Sequence, residues 1–265
     1  MRKVLKHYLG KWFSQPLAKW SYSLLLTVLL LTTINSLQLN SEGSILDQRI
    51  QSLMIEKSDM RRALQLLRQN DPSRILIGFE KVSGKQGGEE PKISLQLANA
   101  SVTSIVDRLC QADPRYTYEI VEGTLINVFP KGAKSDPNNL LNIRVQHFQF
   151  HGDELPNNLI TRISDLAPEL REHLWMRARE YAKKTGRPLG GSAGSILSGN
   201  APLPRIDINL QNMTVREILN AIVLYSMKLS NEPPGWTPIS WQYEFIIDPT
   251  APTGLGGYPK WDIFY

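Results

Sequence analysis

Hydrophobic positions along the chain recur with two different periods, and the switches between them mark out the elements. An apolar stretch comes first. No charge occurs between Trp20 and Ser41, and Leu24, Leu25, Leu26, Val28, Leu29, Leu30 and Leu31 form its centre. Residues 42–57 read as a helical lead-in. From Ser58, a good N-cap, Met60, Ala63, Leu64 and Leu67 recur at i, i+3, i+4 and i+7, one face of a helix. Asp71-Pro72 ends it, because the residue before a proline resists the α region. Ile75 to Val82 is strand-like, and Gly84 to Pro91 is too polar and glycine-rich for an element interior. Ile93-Ser-Leu-Gln-Leu97 alternates strictly, as a half-buried strand does. Ser101 caps a helix whose apolar face is Val102, Ile105, Val106 and Leu109. Tyr116 to Val121 and Leu125 to Phe129 flank Glu122-Gly123 and read as a hairpin.

Lys131 to Asn139 is rich in Gly, Pro, Asn, Ser and Asp, so residues 131–142 are expected to be a linker between two units. The second unit, 143–247, opens with a strand from Ile143 to Phe150. Asp153 is placed to cap a helix carrying Leu155, Leu159, Ile163 and Leu166. Pro168 suits the first turn of another helix, with Leu170, Leu174, Trp175, Ala178 and Tyr181 on its apolar side. Gly186 to Pro204 is a Gly/Ser/Pro-rich loop, and 168–204 together read as an insertion. Ile206, Ile208 and Leu210 alternate as a strand, and Thr214 caps a helix with Val215, Ile218, Leu219 and Ile222. Trp241 to Ile247 is the last clear strand. Residues 248–265 read as a Pro/Gly-rich tail in which Trp261 to Phe264 adds a short edge strand.

An internal repeat underlies this order. At an offset of 113 residues, Ile93, Leu97, Asn99, Val102 and Ile105 fall on Ile206, Leu210, Asn212, Val215 and Ile218, identical at all five positions, and Ser101 meets Thr214. Each match has a physical reason. Alternating aliphatics build the strand, Asn tolerates a tight turn, and the hydroxyl caps the helix.

The two strand-cap-helix segments, Ile93 to Leu109 and Ile206 to Ile222, resemble the STN-like short domain found at the N-terminus of secretins and TonB-dependent transducers. The adjoining strands, Ile75 to Val82 and Tyr116 to Phe129, belong to the same likeness. It covers most of 58–130 and, around the insertion, most of 143–247. The resemblance implies an α+β chain of two small βαββαβ units, with two helices packed on small sheets in each, behind an N-terminal apolar helix. It also implies a non-catalytic envelope module that docks other proteins. The family's usual ring or barrel has no counterpart after residue 247, which separates this chain from secretion and signalling roles.

Charge adds a topology. The chain has 265 residues, 30 Lys plus Arg against 25 Asp plus Glu, and a net charge of +5. Residues 1–41 contain Arg2, Lys3, Lys6, Lys11 and Lys19 and no acid, so the whole excess sits in the leader and the remainder is neutral. No bulk cationic surface is left to displace counterions from nucleic acid. Cations before an apolar core are the pattern of a signal peptide, or of an uncleaved anchor spanning residues 20–39 of the inner membrane. Either places the body on the periplasmic side.

Candidate chemistry is sparse. Gly190-Gly-Ser192-Ala-Gly194 has the letters of a nucleophile elbow but lacks the strand before it and any His downstream of His173. An envelope hydrolase using this loop is the competing enzyme reading. Binding of a small molecule or peptidoglycan fragment between the two units is a third. His147 and His151 are four apart on a strand, roughly 13 Å, too far to share an ion. Cys110 ends a helix face and reads as a buried, inert thiol. Neither cofactor nor metal is expected. Arg171, Arg177, Arg179, Lys183, Lys184 and Arg187 interleave with Glu169, Glu172 and Glu180, a solvated face or a contact for an acidic partner. The positions expected to meet an envelope partner are Trp175 and Arg179 on the inserted helix and Trp261 and Phe264 in the tail, the latter by β-augmentation.

Overall fold

The computed structural model describes residues 48–71, 75–82, 90–186, 203–229, 237–248 and 255–264. The leader and its expected span lie outside them, and no helix among the described residues is long and apolar enough to cross a membrane.

The body, Ser44–Tyr265, is one compact unit of mixed α+β structure. The first half runs β1 (Arg49–Ser58), α1 (Met60–Asn70), β2 (Leu76–Glu80), β3 (Ile93–Ser101), α2 (Val102–Ala112), β4 (Tyr116–Val121) and β5 (Leu125–Pro130). The second runs β6 (Arg144–Asp153), the short helices α3 (Pro156–Thr161) and α4 (Ile163–Leu166), the long α5 (Pro168–Thr185), then β7 (Arg205–Thr214), α6 (Val215–Leu229), β8 (Trp241–Ile247) and β9 (Gly257–Ile263). β1 pairs with β3 and β6 with β7, both antiparallel, as two-stranded sheets. The other strands form one five-stranded sheet in the order β4-β5-β2-β8-β9.

Five expectations are corrected. Residues 49–58 are a strand rather than a helical lead-in. Ile50, Leu53 and Ile55 are buried, and pairing with β3 decides the conformation. The cap of α1 is Asp59, whose side chain accepts from the Arg62 amide, and not Ser58. Asp153 ends β6, and the α3 start is served by Glu154, which accepts from Leu155 N–H and from the Asn158 amide. Residues 131–142 are no free linker between separate domains. They hold two 3₁₀ turns that bury Ala133, Leu140 and Leu141, and β2 of the first half pairs directly with β8 of the second. The tail likewise contributes a full seven-residue strand, β9.

The repeat is structural as well as sequential, and wider than the 113-residue offset reaches. β1 and β6 match at an offset of 95, with Arg49, Ile50, Gln51 and Leu53 on Arg144, Val145, Gln146 and Phe148. The hairpin registers agree: Arg49 faces Ser101 as Arg144 faces Thr214, and Leu53 faces Leu97 as Phe148 faces Leu210. Val102 N–H donates to Gln48 O, and Val215 N–H to Ile143 O. Arg49 and Arg144 each donate from Nη1 to the carbonyl of the repeat asparagine, Asn99 or Asn212. Each repeat packs its own helices into its own core. Leu64, Leu67, Ile105 and Val106 centre the first, and Phe148, Leu159, Ile218 and Ile222 the second. β2 is buried along its whole length because it lies between them.

Asn99 and Asn212 both sit at positive φ, 48° and 54°. A Cβ-bearing residue without a short amide is strained there. Asn→Ala at either site is expected to cost about 1 kcal/mol, and Asn→Gly much less. Urea midpoints of the four single variants check this. Equal tolerance of Ala and Gly at both sites would contradict the left-handed conformation.

Candidate functional site

The two repeats are tied by polar groups rare in a protein interior. Glu80, at the end of β2, meets Arg216 of α6 at 2.7 Å, and both are almost fully buried. Asn139 donates to the other Glu80 oxygen at 2.6 Å. The Arg216 guanidinium lies 5.2 Å from the centre of the Phe129 ring, and its Nη2 has no hydrogen-bond partner among the described residues. Burial raises the Glu80 carboxyl above its ordinary pKa, and Arg216 only partly offsets that. Burial likewise raises the neighbouring Tyr243 phenol. A second tie joins α1 to the approach to β8. Buried Arg68 donates to Ser240 Oγ at 3.0 Å and to Pro238 O at 2.7 Å, and the Ile77 amide also donates to Ser240 Oγ. Sequence reading missed this whole group, since neither Glu80 nor Arg216 lies in a motif. The one available signal was an acid closing an otherwise apolar strand.

Above Glu80 opens a cleft of about 730 Å³. Its floor is the outward face of β8, Tyr243, Phe245 and Ile247. One wall is the 130–140 segment and the other is α5, through His173 and Arg177. Burial and the adjacent Arg177 charge lower the His173 pKa. Lys81 is held by Glu90 and Glu244, at 3.3 and 3.0 Å. Of the charged groups lining the cleft, Glu80 and Lys81 are ion-paired, and no Ser, Thr or Cys stands among the described lining residues.

α5 carries the other candidate surface. Pro168 and Glu169 open it, Lys183 and Lys184 complement its C-terminal end, and Gly186 at φ 69° closes it. Of its 18 residues only Leu170 is buried. Trp175 and Met176 are 46% and 50% exposed. The Arg179 guanidinium stands 6.0 Å from the Trp175 ring centre, and Arg171 and Glu172 complete the patch. Trp175, placed by its spacing on the apolar side of the helix, is instead half exposed beside Arg179 and Met176.

The tail residues do not join them. Trp261 packs on Tyr243 with ring centres 4.6 Å apart, and Phe264 is fully buried against Phe79 at 5.9 Å. Both are core residues, unavailable to a partner, because the Tyr243 and Phe79 rings cover them. His147 and His151 lie exposed on β6, His151 beside Asp207 and Arg205. Burial, with Asp107 and Asp113 nearby, pushes the Cys110 thiol up to about 11, which keeps it protonated. Ser192 and the glycine-rich loop lie outside the described residues.

Comparison with family models, curated proteins and solved structures returns no match, so the reading rests on the chain's own geometry.

Proposed function

We propose that the chain is a non-catalytic, exported or membrane-anchored envelope protein that works as a protein-interaction module of two STN-like units. The observation that carries this reading is the α5 patch. An 18-residue helix outside the repeat presents Trp175 and Met176 to solvent between Arg171 and Arg179. Trp and Arg are the residues that most often dominate binding energy at interfaces, and a large exposed apolar group costs solvation until something covers it. The leader cations and apolar stretch support a periplasmic location with residues 20–39 in the inner membrane. The strand-cap-helix segment present in each half, β3–α2 and β7–α6, supports the STN-like part of this reading.

The test is crosslinking and capture of the full chain from its native membranes. Trp175→Ala with Met176→Ala is expected to lose a partner that the parent chain retains, with the thermal midpoint unchanged because neither side chain is buried. Retention of every captured partner by this double variant would overturn the reading. The cleft favours a second reading, binding of a small molecule or peptidoglycan fragment, since its size is in the range of about 300–1,000 Å³ typical of ligand sites.

A further inference from the structure

The five-stranded sheet has two outer edges, and they are not alike. On β9 the hydrogen bond from Phe264 N–H to Ser240 O turns the even-numbered residues toward β8, so Gly257, Pro259, Trp261 and Ile263 face outward. Pro259 has no N–H to offer, and the Ile263 N–H is taken by Asp262 Oδ1 at 2.8 Å. This edge is guarded against further strands. On β4 the bond from Lys131 N–H to Arg115 O turns the odd-numbered residues toward β5, leaving Tyr116, Tyr118 and Ile120 outward. No proline interrupts β4. Among the described residues the N–H groups of Tyr118 and Ile120 have no partner, and Ile120 is 43% exposed.

The second repeat indicates what such an edge takes. Phe264 N–H to Ser240 O matches Lys131 N–H to Arg115 O, so β8 is the counterpart of β4. Tyr116-Thr-Tyr-Glu-Ile-Val121 then falls on Trp241-Gln-Tyr-Glu-Phe-Ile246, with Tyr118 on Tyr243 and Glu119 on Glu244. The edge that is open in β4 is occupied in β8. There β2 pairs in parallel, Gly78 facing Trp241 and Glu80 facing Tyr243, and Lys81 N–H donates to Tyr243 O at 2.8 Å. Gly78 is obligatory at that crossing because a Cβ would stand 2.6 Å from the Trp241 ring. The Lys81 ammonium reaches Glu244 at 3.0 Å. β2 cannot serve a second copy of the chain, since β5 and β8 occupy both its edges.

We propose that the open edge of β4 accepts, in parallel, an extended segment of a partner protein built like β2: a glycine opposite Tyr116, and three residues later a Lys or Arg whose amide bonds Tyr118 O and whose charge joins Lys134 at the Glu119 carboxylate. This rests on the reading of the chain as a docking module and names a second surface for it, distinct from α5.

The probe is a capped peptide of residues 76–82, Leu-Ile-Gly-Phe-Glu-Lys-Val, titrated against the full chain in detergent. Hydrogen exchange read by mass spectrometry should show new protection across 116–121 and none across 257–263. Two changes should each weaken binding about tenfold: N-methylation of the peptide lysine amide, and Ile120→Pro, which gives β4 the guard that β9 has without breaking a bond to β5. If Ile120→Pro fails to fold, the N-methyl peptide alone decides. No binding, protection at β8 instead of β4, or insensitivity to N-methylation would overturn the proposal. Loss of the peptide effect with partner capture through α5 intact would leave the docking reading standing.

Discussion

Glu80→Ala is expected to lower the stability of the body by about 3–5 kcal/mol, the cost of leaving a buried charge without its partner. Arg216, 3% exposed in the parent, would keep the Phe129 ring beside it while its Nη2 has no hydrogen-bond partner among the described residues. Arg216→Ala should cost a similar amount for the mirrored reason, except that Asn139 would still donate to the carboxylate. Replacing both residues by apolar ones of matching volume is expected to restore most of the loss, since an ion pair in an apolar interior gains little over good packing. Urea unfolding of the parent, the two single variants and the double variant forms the measuring cycle. Single-variant losses below about 1 kcal/mol would mean that the pair is hydrated and not buried. The pH dependence has a fixed sign. A carboxyl whose folded pKa is raised binds its proton more readily in the folded state. Its contribution is fully present below the unfolded value and is lost as pH rises through the folded one. The Glu80 site should therefore favour folding in mild acid, with the slope abolished in Glu80→Gln.

Gly78→Ala is the second large effect, expected at about 3 kcal/mol, near the upper end for overpacking. Its methyl group would stand 2.2 Å from Asn127 Oδ1 and 2.6 and 2.7 Å from two atoms of the Trp241 indole. Neither neighbour can give way cheaply. Trp241 is fully buried and its Nε1 donates to Asn220 Oδ1 at 2.9 Å, while Asn127 is buried on the paired strand β5. The strain falls on the β2–β8 seam that joins the repeats. Urea unfolding should show the loss, and hydrogen exchange at the Lys81 amide, which donates to Tyr243 O, should quicken. A loss under about 0.5 kcal/mol would show that the indole does not pack over position 78.

Much of this architecture was legible one element at a time. Met60, Ala63, Leu64 and Leu67 line α1 as their spacing requires, and Ser101 caps α2 by accepting from the Ser104 amide. The Asn99–Asn212 match pointed to a turn, whereas both residues lie within strands, β3 and β7, sharing a left-handed conformation there. β1 was misread because Ile50 and Leu53, three apart, carry the spacing of a helix face. The choice between helix and strand is made by β3, 35 or more residues away at the closest pairing. Trp261 and Phe264 were read as available because aromatics near a chain end carry no local sign of burial. Tyr243 and Phe79, which cover them, come from distant strands.

The sequence by itself determined the repeat, the capped helices, the alternating strands and the concentration of positive charge in the first 41 residues. Those properties are written in spacing of 2 and 3.6 residues and in side-chain chemistry within a few positions. Only the tertiary structure decided that the repeats share one sheet, that Glu80 and Arg216 meet across 136 residues, and that one sheet edge is guarded while the other is open. The reason is that strand partners and buried charge pairs are chosen by groups far apart in the chain, whose backbone and side-chain polar atoms must be satisfied once water is excluded.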